Sequence, residues 1–173
     1  MRKRTLIAAA SVLMLALAGS PGPVPDEARA ARGLRWVLDV HGARKSDARY
    51  GRVPELARLI SEAGQTNGLD VDALVTLMWT ESSMRPDAVG KHGELGYYQL
   101  HGDLKRGADT VEENVRRGAA RLALAVEKCS PAPPVDWEQA YGHYRSGECE
   151  RRFGLQKALL LQSMKRALDE EER

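Results

Sequence analysis

The pattern of apolar and polar positions along the chain predicts a fold made mainly of helices. In several segments apolar residues recur at every third or fourth position, which places them on one face of a helix. No segment of useful length alternates apolar and polar residues as a half-buried strand does. We therefore expect a mainly α, compact multi-helix domain, with helices at residues 28–40, 53–66, 71–83, 110–127, 135–145 and 149–170.

Residues with strong capping preferences mark the ends of several predicted helices. Pro54 suits the first turn of the second helix, and Asn67-Gly68 is typical of its end. Asp70 can cap the third helix, and Thr110 with Glu113 forms a capping box for the fourth. These signals support the predicted helix bounds independently of the apolar spacing.

Composition and spacing predict two further features: the character of the segment between the third and fourth helices, and the core-facing residues of the last helix. Residues 84–109 are rich in glycine and lack a helical pattern, so we expect an irregular segment there. In the last helix, the residues predicted to face the core are Leu155, Leu159, Met164 and Leu168.

The N-terminus has the pattern of an export signal. Residues 2–4 are basic, residues 5–18 are apolar, and Ala16-Leu17-Ala18 fits a small-x-small cleavage site. The apolar stretch is short for a membrane-spanning helix, although a retained N-terminal anchor is an open alternative. We expect residues 1–18 to be removed as a signal peptide. The protein is then exported, periplasmic or extracellular, with no stable membrane anchor.

The domain boundaries and the net charge follow from that prediction. Residues 19–50 are predicted to be an N-terminal lead-in, partly flexible because it opens with Pro and Gly, and residues 51–173 the folded domain. The chain has 26 Lys+Arg and 24 Asp+Glu, and the signal contains three of the bases and no acid, which leaves a net charge of −1. This balance gives no reason to expect a nucleic-acid partner.

The chain has two cysteines, Cys129 and Cys149, and both lie in the exported part. An oxidising compartment favours a disulfide between them, and two free buried thiols are the alternative. The bond would close a loop around a proline-rich segment, and a loop of that length stabilises a fold by about 3 kcal/mol.

One carboxylate, Glu81, is predicted to lie on an apolar helix face. It shares that face with Leu74, Leu77 and Met78 when the third helix is drawn at 100° per residue. Charged groups avoid such positions unless they are paired or neutral, although a side chain in the last turn can also turn out to solvent. A buried carboxylic acid keeps its proton more readily than an exposed one, and general acid catalysis of glycoside cleavage needs that proton.

The stretch 81-ESSMRPDAVGKHGELGYYQL-100 resembles the signature of the soluble lytic transglycosylase (SLT) domain. The matching positions are Glu81, Ser82, Ser83, Pro86, Ala88, Gly96 and Gln99. Two later stretches, 109-DTVEENVRRGAARL-122 and 140-AYGHYRSG-147, are similar to further blocks of that family, the second through Tyr144 and Gly147. The resemblance covers about residues 53–165, within the predicted domain.

The resemblance implies a fold of the α+β lysozyme-like superfamily around a glycan-binding cleft. It implies that the partner is the glycan strand of peptidoglycan, cut at the β-1,4 bond between N-acetylmuramic acid (MurNAc) and N-acetylglucosamine (GlcNAc) with formation of 1,6-anhydroMurNAc. Glu81 is then the general acid and base, and Tyr144 is expected to donate a hydrogen bond that orients it. A core tyrosine is the alternative interpretation of Tyr144.

The other matched positions are expected to support the carboxylate or bind the sugar. Ser82 and Ser83 either steady Glu81 or cap the helix end. The resemblance implies that Gln99 binds an N-acetyl group and that Gly96 lets the backbone approach the glycan. Tyr97 and Tyr98 stand where the family usually has Leu and Met, and we expect them to stack on sugars.

The chain also departs from the family pattern. Arg145 and Ser146 replace the usual Asn and Ala, and the segment between Gln99 and Asp109 is short, which would remove part of one cleft wall. A non-catalytic peptidoglycan-binding or cell-wall assembly module therefore remains an alternative.

A lysozyme-type muramidase is the other alternative. It would need a second carboxylate, for which Asp87, Glu94 and Asp103 are candidates, each more typical of a solvated loop. The four histidines are scattered, so we expect no metal and no cofactor, and His92 and His101 could touch substrate. We expect a monomer.

Overall fold

The computed structural model describes residues 25–173, and within that range it contains six α-helices and no sheet. The predicted signal peptide and the start of the lead-in lie outside the described residues. The helices are α1 (Pro25–Val40), α2 (Ala48–Asn67), α3 (Val71–Ser82), α4 (Val111–Cys129), α5 (Trp137–Ser146) and α6 (Arg151–Glu171). The mainly α prediction is confirmed, and the irregular segment between α3 and α4 contains isolated β-bridges and a short 3-10 turn.

Helix α2 begins earlier than predicted. Its first residue is Ala48, because the Asp47 side chain accepts a hydrogen bond of 2.9 Å from the backbone N–H of Arg49 and so caps the helix. Pro54 consequently lies inside the helix, and its predicted place in the first turn is wrong. The predicted end is confirmed, since Gly68 adopts a left-handed conformation there.

The predicted caps of α3 and α4 are confirmed, with one difference. Asp70 caps α3 with its side chain, and the Thr110 hydroxyl accepts a 3.2 Å hydrogen bond from the N–H of Glu113. The carboxylate of Glu113 pairs with Arg116 and Arg117. In the predicted capping box it would instead turn back to the backbone at the start of the helix. The hydrogen bonds from Arg116 and Arg117 lower the pKa of Glu113 to about 2.

Helix α1 is part of the packed domain. Ala30, Leu34 and Leu38 are fully buried in the core that α1 shares with α2, α3 and α6. Arg29 also pairs with the buried carboxylate of Asp72 in α3, at 2.7 Å. The ordered structure therefore extends well to the N-terminal side of residue 51, where the sequence places the start of the domain. No helix within residues 25–173 has the length and apolar character needed to cross a membrane.

The buried face of α6 differs from the predicted one. Met164 and Leu168 face the core as predicted, whereas Leu155 and Leu159 are 43% and 51% exposed, so their predicted inward orientation is wrong. The buried residues of the helix are Gly154, Lys157, Ala158, Leu161, Met164 and Leu168.

Close contact between α5 and α6 explains this orientation. A Cβ on Gly154 would lie 1.9 Å from the carbonyl oxygen of Glu138, and a Cβ on Gly142 would lie 2.2 Å from that of Glu150. Only glycine permits backbones to come this near, so Gly154 must face α5. That constraint fixes the rotation of α6, and it turns Lys157 inward.

A disulfide joins the end of α4 to the short connection between α5 and α6. Cys129 and Cys149 are bonded, with their Cα atoms 5.5 Å apart, which confirms the predicted pairing. The bond closes a loop of 20 residues that contains α5, so it holds α5 between its two neighbouring helices.

Replacing both cysteines, Cys129→Ser with Cys149→Ser, is expected to lower the free energy of unfolding by about 3 kcal/mol, because the unfolded chain regains the freedom of the open loop. Denaturant titration measures the difference. Reduced wild-type protein is the control and should unfold at the midpoint of the double variant. A double variant as stable as the oxidised wild type would contradict the prediction.

Candidate active site

Glu81 lies in the last turn of α3, at the border of the core. Leu77 and Met78 of the same helix are fully buried, whereas the Glu81 side chain is 18% exposed. The helix ends directly afterwards, because Ser83 adopts a left-handed conformation and its N–H donates to the carbonyl of Trp79. The carboxylate therefore emerges from the end of a rigid buried helix.

A cavity of about 560 Å³ opens beside this carboxylate, and we call it the Glu81 cavity. The residues that line it include Glu81, Gln99, Arg121, Tyr144, Arg145 and Lys157. The structure thus brings together three residues that the sequence assigned to the site, Glu81, Gln99 and Tyr144. The irregular segment between α3 and α4, which we call the loop, contributes His92 and His101 to the cavity wall as well.

Lys157 contacts Glu81 directly, and the sequence interpretation did not assign it to the site. Its ammonium donates to Oε1 of Glu81 at 2.9 Å and to the hydroxyl of Thr80 at 3.3 Å. The two charged side chains are only 11% and 18% exposed, so solvent screens the ion pair weakly. The contact is a charge-assisted hydrogen bond, and it holds the carboxylate of Glu81 against α6.

Tyr144 lies in the cavity wall but does not donate its hydrogen bond to Glu81. Its buried hydroxyl donates to the backbone carbonyl of Tyr98 at 2.7 Å, and the guanidinium of Arg121 lies over its ring at 4.6 Å. Burial, followed by the negative charge of Glu81, raises the pKa of Tyr144 well above its usual value. Tyr144 is thus a neutral wall residue near the carboxylate, and its hydroxyl secures the loop backbone.

Tyr97 and Tyr98 are buried in the core, with 1% and 0% of their surface exposed. The Tyr98 hydroxyl donates to the carbonyl of Leu74 at 3.1 Å, and the Tyr97 hydroxyl accepts from Arg52 at 3.3 Å. Their rings are therefore not available to stack on sugars in this structure. They occupy apolar positions, as the Leu and Met usual in the family would.

The two serines after Glu81 stabilise the end of the helix. The buried Ser82 hydroxyl donates to the carbonyl of Met78 at 3.1 Å. Ser83 provides the left-handed residue, and its carbonyl accepts from Arg49 at 2.9 Å. These contacts match the helix-capping alternative, and neither hydroxyl is hydrogen-bonded to Glu81.

Gln99 and Gly96 shape the loop opposite Glu81. The Gln99 side-chain N–H donates to the carbonyls of Ala88 and Gly96, at 3.0 and 2.9 Å. Gly96 has a φ of 75°, and a Cβ there would lie 2.4 Å from the amide of Asn114. That amide in turn accepts from the N–H of Tyr98 at 3.0 Å. The matched glycine thus serves the packing of this loop on α4.

The candidate second carboxylates are not equivalent. Glu94 lies in the wall of the Glu81 cavity, and hydrogen bonds from its own backbone N–H and that of His92 lower its pKa. Asp87 lines a different cavity, and the side chain of Asp103 is 93% exposed. Over residues 25–173, no group of three His, Cys, Asp or Glu side chains is arranged to hold a metal ion.

A family model described as the Transglycosylase SLT domain matches residues 58–159. The chain belongs to this family. SLT domains have the lysozyme-like fold and are typically lytic transglycosylases that act on peptidoglycan. The match runs from α2 into α6 and includes both Glu81 and Lys157, whereas α1 precedes it. Searches of curated proteins and of solved structures found no match to this chain.

Gly118→Ala is expected to disturb the packing of the loop between α3 and α4 on helix α4. An added Cβ would lie 2.3 Å from Cγ of Tyr98, a buried ring atom that cannot move aside. We expect the free energy of unfolding to fall by about 2 kcal/mol through overpacking. The matched control is Gly51→Ala in α2, where a Cβ meets nothing within 4 Å. Equal stability of the two variants in denaturant titration would contradict the packing argument.

Proposed function

We infer that this protein is a lytic transglycosylase that cleaves the MurNAc-β-1,4-GlcNAc bond of peptidoglycan strands. The observation that carries the proposal is the position of Glu81 within an SLT domain. Its carboxylate stands at the end of a buried helix and opens on a cavity of about 560 Å³. Acid–base cleavage of a glycoside needs such a carboxyl group, held rigidly against the substrate.

The proposed reaction uses Glu81 twice. As an acid it donates its proton to the glycosidic oxygen, the bond from C1 of MurNAc to that oxygen breaks, and the GlcNAc portion leaves as an alcohol. As a carboxylate it then takes the proton of the 6-hydroxyl of the same MurNAc. The oxygen of that hydroxyl bonds to C1, which gives 1,6-anhydroMurNAc. Glu81 regains its proton, and no water is consumed.

The loop opposite Glu81 and the tyrosine in the cavity wall are proposed to place the substrate. Gln99 lies in that wall, and its carbonyl oxygen is the part of the amide suited to accept a hydrogen bond from an N-acetyl group. Tyr144 holds the backbone of the same loop through the carbonyl of Tyr98. We assign it a positioning role, since its hydroxyl is already engaged.

The proposed location of the protein is outside the cytoplasm, where peptidoglycan lies. The basic and apolar pattern of residues 1–18 supports export. The disulfide between Cys129 and Cys149 also supports an oxidising compartment.

A non-catalytic peptidoglycan-binding module is the second candidate, and the ion pair between Lys157 and Glu81 favours it. In this pair Oε1 of Glu81 is engaged by the Lys157 ammonium, at 2.9 Å, and is not open to a glycosidic oxygen. Because both functions would use the same cavity, they are distinguished by measuring turnover and by identifying the product.

Glu81→Gln is expected to lower the rate of glycan release from purified cell walls at least a hundredfold, on the order of what general acid–base catalysis contributes. Glu94→Gln is the matched control, a second carboxylate in the same cavity, and should retain activity. Mass spectrometry of the digest should show terminal 1,6-anhydroMurNAc.

Three results would contradict the transglycosylase proposal. Products with only reducing ends, together with inactive Glu94→Gln, would indicate a muramidase that activates water. Turnover by Glu81→Gln equal to that of the wild type would exclude Glu81 as the acid. No release by any variant, with persistent sedimentation on cell walls, would indicate the binding module.

A further inference from the structure

The Glu81 cavity does not end at Lys157. A second cavity of about 470 Å³ lies on the other side of this lysine, and Thr80, Arg145 and Lys157 belong to the walls of both. We call it the α6 cavity. Trp79 and Phe153 give it an aromatic surface, together with His41 from the loop after α1. The two cavities adjoin at the three residues that they share, and together we call them the groove.

The groove is positively charged although the chain as a whole is nearly neutral. The Glu81 cavity contains four Lys and Arg side chains against two glutamates, and no Asp or Glu lines the α6 cavity. One of those glutamates, Glu81, is already paired with Lys157. The potential along the groove is therefore that of an anion-binding surface.

Lys157 and Arg145 are the two cations shared by both cavities. The Lys157 side chain is nearly buried, at 11% exposure, and its ammonium donates to Glu81 and to the Thr80 hydroxyl, which leaves its third N–H for another acceptor. Arg145 is exposed, and its guanidinium lies 5.3 Å from the centre of the Phe153 ring. Across the part of the chain that the structure describes, Arg145 has no carboxylate in salt-bridge range. Each cation can thus accept an incoming anion.

We propose that Lys157 and Arg145 form a site for a carboxylate of the substrate at the centre of the groove. This deepens the proposed function, on which it rests, by naming the part of the glycan that is recognised. Within the peptidoglycan strand, MurNAc carries the acidic groups. They are the lactyl carboxylate where no stem peptide is attached, and the carboxylates of the stem peptide where one is.

Such a site also indicates how the ion pair between Lys157 and Glu81 is opened when substrate binds. A substrate carboxylate that binds the ammonium of Lys157 competes with Glu81 for the same charge. Binding of an acidic glycan therefore releases Glu81 from its counter-ion, whereas binding of a neutral glycan leaves the pair intact. The other charged groups that face the pair are Arg121 from α4, Arg145 from α5, and Lys91, His92, Glu94 and His101 from the loop.

The first test is a binding measurement by calorimetry in a Glu81→Gln background, which keeps the ligand uncut. The anionic probe is a MurNAc–GlcNAc tetrasaccharide without peptides, and the neutral probe is chitotetraose. Arg145→Gln and Lys157→Gln are each expected to weaken the anionic probe about tenfold, the effect of losing one charged hydrogen bond. Both should bind chitotetraose within about twofold of the parent, because the neutral probe has no carboxylate with which either cation could pair.

Matched variants separate charge from structure. Arg145→Lys and Lys157→Arg should retain most of the affinity for the anionic probe, because each keeps its charge. Arg166→Gln, an exposed arginine on α6 outside both cavities, should change neither affinity. Thermal unfolding of each variant checks that it folds. If Lys157→Gln does not fold, the comparison rests on Arg145→Gln.

The source of the carboxylate is identified by three further probes, namely the tetrasaccharide with stem peptides, the same compound with its carboxyl groups amidated, and the amidated peptide-free form. Tighter binding of the peptide-free acid assigns the lactyl carboxylate, and tighter binding of the peptide-bearing acid assigns the stem.

The proposal is overturned if amidated and acidic probes bind equally well, or if Arg145→Gln weakens chitotetraose as much as the acidic probe. Because these measurements need no turnover, they can fail while the transglycosylase activity stands. Conversely, wild-type turnover by Glu81→Gln would contradict the proposed function and leave the binding result unchanged.

Discussion

The close approach of α5 and α6 is the constraint on which the site depends. Gly142 and Gly154 let each backbone touch the other helix, and the carbonyls of Glu138 and Glu150 fill the space that any side chain would need. With Gly154 against α5, the helical repeat places Lys157 inward, three residues further on. The ammonium that pairs with Glu81 is thus positioned by a backbone contact between helices, and the disulfide around α5 secures the same arrangement.

The opposite wall of the Glu81 cavity depends on a second close contact. Asn114 of α4 accepts from the N–H of Tyr98 and donates to the carbonyl of Leu95, which satisfies two loop groups with one amide. The Tyr98 ring lies against Gly118, one turn further along α4. Burying the tyrosine therefore anchors an irregular segment that has no sheet to hold it. Gln99 reaches the cavity because the residue before it is fixed in the core.

Local patterns predicted the part of the site that one helix determines. The apolar spacing of α3 predicts Glu81 on the core-facing side of the helix, where the structure leaves it 18% exposed, and the paired cysteines predict the bond that is observed. The same reasoning fails for α6, where it predicts Leu155 and Leu159 in the core and the structure exposes both and buries Lys157. Hydrophobicity ranks those side chains correctly, but the rotation of α6 is set by Gly154, a residue without a side chain whose effect depends on another helix.

The ion pair between Lys157 and Glu81 is the strongest interaction in the Glu81 cavity that any ligand would meet. Glu81 faces an ammonium that burial holds in place, so removing the carboxylate, as in Glu81→Gln, would leave Lys157 charged, sheltered and unpaired. Unpaired buried charges are costly, and the cost falls when another anion reaches the ammonium. Under the proposed function, the carboxylate of an acidic glycan would be that anion.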